Sequence, residues 1–196
     1  SSDFLIDAIL SANLETPAGL APEAQLFSGS LPISGPKKVR ARVFDGTSWS
    51  ALTEATYFTG VPASVANLVI SELMYNPQGA DDSEYVELLN IGDETVDLSG
   101  VRFSEGIDFE FPLGTMLNAG ERILIVRDEV VLAERYGAGL PVAGAFANGT
   151  GLDKGGERLS ILGQNGELIR TLRYDDKAPW PTAADGDDYS LVLVGP

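Results

Sequence analysis

From Lys37 to the end of the chain, runs of β-branched and aromatic residues recur roughly every 8–15 residues between turn-forming residues, the rhythm of a β-sandwich or barrel. KVRARVF alternates Val39, Ala41 and Val43 against Arg40, Arg42 and Phe44, and DGTS turns the chain into WSALTEATYF. ANLVISELMY, EYVELLN, TVDLSGVRF, FEFP, RILIVRD and YSLVLV continue the series. RLSILGQ and ELIRTLRY flank Asn165-Gly166, a pair that predicts a tight type I′ hairpin turn. Only two segments read as helix. Asp3 to Leu10 predicts a short amphipathic helix capped by Asp3. Asp128 to Gly137 predicts another, with an Asp cap, an acid in the first turn, a base in the last and a Gly stop.

The segment Thr59 to Ser64 has the composition of a linker, and charge density changes there. Residues 1–60 hold 4 bases and 6 acids, whereas residues 61–196 hold 9 bases and 23 acids, for a net of −16 over the chain. The division expected is a partial β module over 1–60, with strands near 37–44 and 49–58, a linker over 61–66 and a sandwich over 67–196. Even three strands, the most that the pattern over residues 1–60 offers, are too few to bury both faces of a sheet. Residues 1–60 therefore either pack on the second domain or form the end of a truncated module.

Histidine and cysteine are both absent. That excludes Ser-His-Asp and Cys-His nucleophiles, thiolate and imidazole metal sites, and disulfides. Any metal would be a hard ion such as calcium or magnesium, bound by oxygens. No apolar run reaches the roughly 18 residues that mark a membrane span. The opening SSDFLIDAIL carries two acids and no base, so a signal peptide, if the parent is exported, lies upstream. The acidic excess repels polyanions such as DNA, and Lys37 to Arg42 is the one basic stretch.

Two acidic clusters are candidate calcium ligands: Asp81, Asp82 and Glu84 in one, Asp185, Asp187 and Asp188 in the other. Neither has helix–loop–helix calcium spacing, so a site would need both loops at one end of the sandwich. Glu72 and Glu87 read as satisfied structural acids, with acid/base pairing as the catalytic alternative. Trp180, between two prolines, reads as a cover on the core or a platform for a sugar ring, and Trp49 carries the same two readings. Asn148-Gly149-Thr150 matches a glycosylation sequon and reads more simply as a loop.

VISELMYNP, DSEYVELLN, VDLSGVRF, FPLGTMLNAGERILIV, GGERLSIL and YDDKAPWPTAADGDDYSL follow one another in an order that resembles the lamin tail domain family, over about residues 66–195. Two departures are Val101, where the family usually has Trp, and Asp187-Asp188, where small residues are usual. SGPKKVRARVFDGTSWSALTEATYF, within residues 29–58, resembles the end of the sandwich module appended to chitobiase and β-hexosaminidase enzymes. The first resemblance implies an immunoglobulin-like sandwich acting as a protein-interaction scaffold, with no catalytic residues of its own. The expectation is a non-catalytic interaction or spacer module of a larger exported bacterial protein, extracellular or at the cell surface, with no cofactor. Its partner would be a protein or a cell-surface polymer, besides the neighbouring domains of the parent. A carbohydrate-binding module is the alternative, and a metal-dependent hydrolase the third reading.

Overall fold

A computed structural model describes residues 3–9, 25–27, 29–45, 47–79 and 81–194, with the backbone alone for 3–9, 25–26 and 81. The chain divides into two compact units, Ser1–Gly60 and Val61–Pro196.

Among the described residues, unit 1 is a four-stranded antiparallel sheet. It comprises β1 (Asp3–Ile9), β2 (Gln25–Leu26), β3 (Lys37–Phe44) and β4 (Thr53–Tyr57), in the order β2-β1-β3-β4. The amphipathic helix expected at Asp3 to Leu10 is a strand instead. It pairs along β3 from Asp3↔Phe44 to Ile9↔Lys38. An isolated helix of two turns is marginal, whereas the long β3 offers a complete ladder of backbone partners. The DGTS turn is held by Asp45, whose Oδ1 accepts the Thr47 and Ser48 amides at 2.8 Å each. Those bonds, led by the Ser48 amide, draw the Asp45 carboxyl down to about 2.

Unit 2 begins with β5 (Val61–Pro62) and β6 (Leu68–Met74), followed by β7 (Tyr85–Asn90), β8 (Val96–Asp97) and β9 (Arg102–Glu105). Next come β10 (Met116–Leu117), β11 (Arg122–Val126), the helix α1 (Glu129–Tyr136) and β12 (Val142–Ala145). β13 (Arg158–Leu162), β14 (Leu168–Arg173) and β15 (Leu191–Val192) complete it. A five-stranded sheet, β12-β11-β7-β6-β15, and a three-stranded sheet, β14-β13-β9, are joined by a short sheet, β10-β8-β5. One apolar core, built on Leu68, Leu73, Val86, Leu88, Val101, Phe111, Ile125, Leu159 and Ile161, runs through the unit. It is an all-β, immunoglobulin-like sandwich. Val101 is fully buried within that core.

Residues 61–66, expected as a linker, belong to the sandwich. Val61 and Pro62 pair in parallel with Val96 and Asp97, and Ala63 is buried. The Asn67 side chain ties the turn, accepting from the Ser64 amide at 2.7 Å and donating to the Pro62 carbonyl at 3.0 Å. A strand of two residues containing proline is composed like a linker, and its edge pairing is what distinguishes it.

In β7, Val86, Leu88 and Asn90 face inward while Tyr85, Glu87 and Leu89 face out, as period two requires. The turn after Asn90 does not fold β8 back against β7. It carries the chain to another sheet, so Val86 and Leu88 meet Val96 and Leu98 through the core. Asn90 organises this crossing, donating to the Glu94 and Leu117 carbonyls and accepting from the Gly92 amide. Gly92 has ordinary φ and is required for space, because a Cβ there would press on Asn67 and the Asn90 amide. Gly100, with φ of 72°, turns the corner into β9.

The hairpin at Asn165-Gly166 exists, with a different turn. The Gly166 amide donates to the Gly163 carbonyl, Gly166 has φ of 87°, and Asn165 does not enter positive φ. This is a three-residue loop closing on a glycine bulge rather than a type I′ pair. The helix α1 starts and stops as expected: Asp128 accepts the Val130 and Val131 amides at 2.8 and 3.0 Å, and Gly137 ends it.

Candidate functional site

The two acidic loops do meet at one end of the sandwich. Asn76, just past β6, donates to Asp185 Oδ1 at 2.7 Å, and its carbonyl accepts the Gly186 amide. Arg135 of α1 then spans the gap. It donates to the Ser83 hydroxyl at 2.9 Å, to the Gln78 carbonyl at 3.0 Å, and to the Asp188 carboxylate. The cation joining these loops is a guanidinium. Asp82 and Asp187 are exposed, and the Asp81 side chain lies outside the described residues. Among the described residues no group of three or more acids is placed to hold a metal ion.

Glu84 belongs to a different environment. It is only 2% exposed, receives the Leu152 amide at 2.9 Å and faces Arg127 at 3.4 Å. The loop bringing Leu152 there passes so close that a Cβ on Gly151 would overlap the Arg127 guanidinium. The sequon residues shape the same loop. Asn148, at φ of 53°, donates its amide to Asp108, and the Thr150 hydroxyl accepts from the Asp108 backbone at 3.0 Å. The side-chain nitrogen that glycosylation would use is thus engaged.

Glu72 and Glu87 come together on the outer face of the five-stranded sheet through a β-bulge. Pairing runs Ile70↔Leu88 and then Glu72↔Glu87, so Ser71 is the extra residue. Leu68 and Ile70 face the core before the bulge and Leu73 and Tyr75 after it, which turns Glu72 outward. Tyr85 and Ser190 hydroxyls donate to Glu72 at 2.5 and 2.6 Å. Ser71 donates to Glu87 at 2.6 Å and Arg122 pairs with it at 3.1 Å. Burial first, and then Glu72 as hydrogen-bond acceptor, push the Tyr85 phenol well above its ordinary range. The surrounding cleft, of about 140 Å³, also includes Leu89, Val192 and Leu193. Both carboxylates are held by fixed donors, which is the arrangement of structural acids.

Trp180 packs against the core from a partly buried position, beside a cis Ala178-Pro179 peptide. Trp49 is 38% exposed and lies over Phe44, with ring centroids 4.7 Å apart. Lys38 and Arg40 share Glu54, at 2.9 and 2.6 Å, and these bonds, led by that of Lys38, lower the Glu54 carboxyl pKa. The basic stretch is thereby partly neutralised.

With Glu72, Glu84, Glu87, Asp185 and Asp188 each engaged by donors of the chain itself, this immunoglobulin-like sandwich is a non-catalytic scaffold module. Residues 62–176 match the family model described as Lamin Tail Domain, and the chain belongs to that family. The match does not extend over unit 1, nor over Lys177 to Val194 of the expected span, although β15 pairs with β6 there. No curated protein and no solved structure matches the chain. No helix among the described residues is long and apolar enough to cross a membrane.

Proposed function

We propose that this chain is an interaction and spacer module of a larger exported bacterial protein, positioning its neighbours rather than performing a reaction. The observation that carries this is the acidic end itself, where Arg135 engages Asp188 and Ser83 and Asn76 engages Asp185. The acidic composition and the resemblance to lamin tail domains support the exported setting. The partner class is a protein or a cell-surface polymer. Deleting residues 61–196 from the parent chain is expected to leave any catalysis by neighbouring domains unchanged per molecule while reducing retention at the cell surface. Unchanged retention would sink the reading.

The exposed Trp49 favours a second reading, a carbohydrate platform on unit 1. On a glycan array, binding by the native chain that disappears in Trp49→Ala would establish it, and an empty array would remove it.

A further inference from the structure

Two arginines face each other on the outer surface of the three-stranded sheet. Arg158 of β13 is the register partner of Arg173 of β14, and both are exposed. Among the described residues neither forms an ion pair or a side-chain hydrogen bond. The acid next in sequence does not serve them. Glu157 is the backbone neighbour of buried Tyr174, and its carboxylate accepts from the Tyr174 hydroxyl at 3.2 Å and the Asp153 amide at 2.9 Å. Strand alternation therefore turns Glu157 away from the arginine face.

Two further rows complete this face. Ser160 and Thr171 sit opposite each other with hydroxyls 3.1 Å apart, and Glu105 accepts from Ser160 at 2.5 Å. In the third row, Leu162 pairs with Leu168, which is 62% exposed, and with Arg102, itself opposite Glu110. Like charges directly opposite one another are unfavourable. Of the unit's other arginines, Arg170 donates to the Leu68 and Val65 carbonyls, Arg102 lies opposite Glu110 in the backbone pairing, and Arg122, Arg127 and Arg135 each have an acid partner. Two bases set side by side without one, in a unit with 23 acids to choose from, are a preformed fork for an outside carboxylate.

We propose that this face binds an extended acidic segment of a partner polypeptide. One carboxylate lies between Arg158 and Arg173, and an apolar side chain four positions along rests on Leu162 and Leu168, about 13 Å away at strand rise. The third row sets a single base, Arg102, beside Leu162 and Leu168, and the acidic remainder of the unit repels a long polyanion, so the face suits a short acidic segment with an apolar residue rather than a nucleic acid. The proposal rests on the interaction-module reading and adds its contact face and partner chemistry.

Amide NMR of the full chain, titrated with a seven-residue peptide carrying Glu at its second position and Leu at its sixth in a Gly/Ser background, tests it. Shifts are expected on Arg158, Ser160, Leu162, Leu168, Thr171 and Arg173. Arg158→Gln/Arg173→Gln should weaken binding at least tenfold, and so should Gln for Glu in the peptide. The same spectra report whether the variant is folded. No shifts at millimolar peptide, shifts confined to another face, or undiminished binding by the variant would overturn the proposal. So would tighter binding of a DNA oligomer at these residues. Failure here leaves the module reading standing, because the deletion experiment decides that separately.

Discussion

The outer faces of the two main sheets use charge in opposite ways. On the five-stranded sheet, Glu72 and Glu87 are neighbours, yet Tyr85, Ser190, Ser71 and Arg122 supply each with donors, and α1 covers the adjoining surface through Leu132, Leu124 and Val126. On the three-stranded sheet, Arg158 and Arg173 are likewise register partners, and among the described residues neither has an ion pair or a side-chain hydrogen bond. Like charges brought together are thus structural on one face and unmet on the other. The difference lies in whether the surrounding residues complete the hydrogen bonds.

The most damaging test of the satisfied acids is Glu84→Ala, at the inward-facing position just before β7. It removes a buried carboxylate and leaves Arg127 and the Leu152 amide unmet. Because Arg127 is 31% exposed, the expected cost is about 3 kcal/mol, the low end for breaking a buried pair. Urea unfolding measures it. A loss near zero would mean that Glu84 is no better satisfied than the exposed acids, and the idea that this unit completes the hydrogen bonds of its own carboxylates would lose its strongest case.

Tyr85→Phe is next in size. It takes one donor from Glu72 and should cost about 1.5–3 kcal/mol, the range for hydrogen bonds to charged groups. It also changes the pH dependence. The folded-state pKa of Tyr85 is raised above its ordinary value of about 10 by burial. Folded and unfolded states are both protonated below pH 10. Above it the unfolded chain loses its proton first, so stability falls as pH rises. Tyr75 and Tyr174, raised by the same cause, contribute in the same direction. Stability curves from pH 8 to 11 should therefore slope downward at the alkaline end, less steeply in Tyr85→Phe. An identical slope in the variant would show that Tyr85 reaches solvent.

How far sequence reaches follows from what each feature depends on. Alternation and turn residues are local, so β7, α1 and the hairpin at Asn165-Gly166 could be read directly. β1 could not, because Phe4, Leu5, Ile6 and Ile9 suit either period and the deciding partner, β3, lies some thirty residues away. Ser71 gives no local sign of a bulge, yet the bulge is what brings Glu72 beside Glu87. Arg135 as the bridge between the acidic loops was equally hidden, since α1 advertises only a last-turn base. The arginine pair lies between these cases. A two-residue turn at Asn165-Gly166 would place Arg158 opposite Arg173. The structure reaches the same pairing by a three-residue loop whose offset is cancelled by one bulge at Ile169.

The smallest prediction separates the faces by sign. Arg158→Gln removes a like-charge cross-strand contact and should stabilise the chain by about 0.2–1 kcal/mol. Arg122→Gln, an equally conservative change on the other face, breaks an exposed pair with Glu87 and should destabilise it by about 0.2–1 kcal/mol. Parallel urea titrations at low salt resolve the two, and both effects should shrink as salt screens them. Shifts of the same sign would show that Arg158 already has a partner within the chain, and the arginine face would then be no different from the glutamate one.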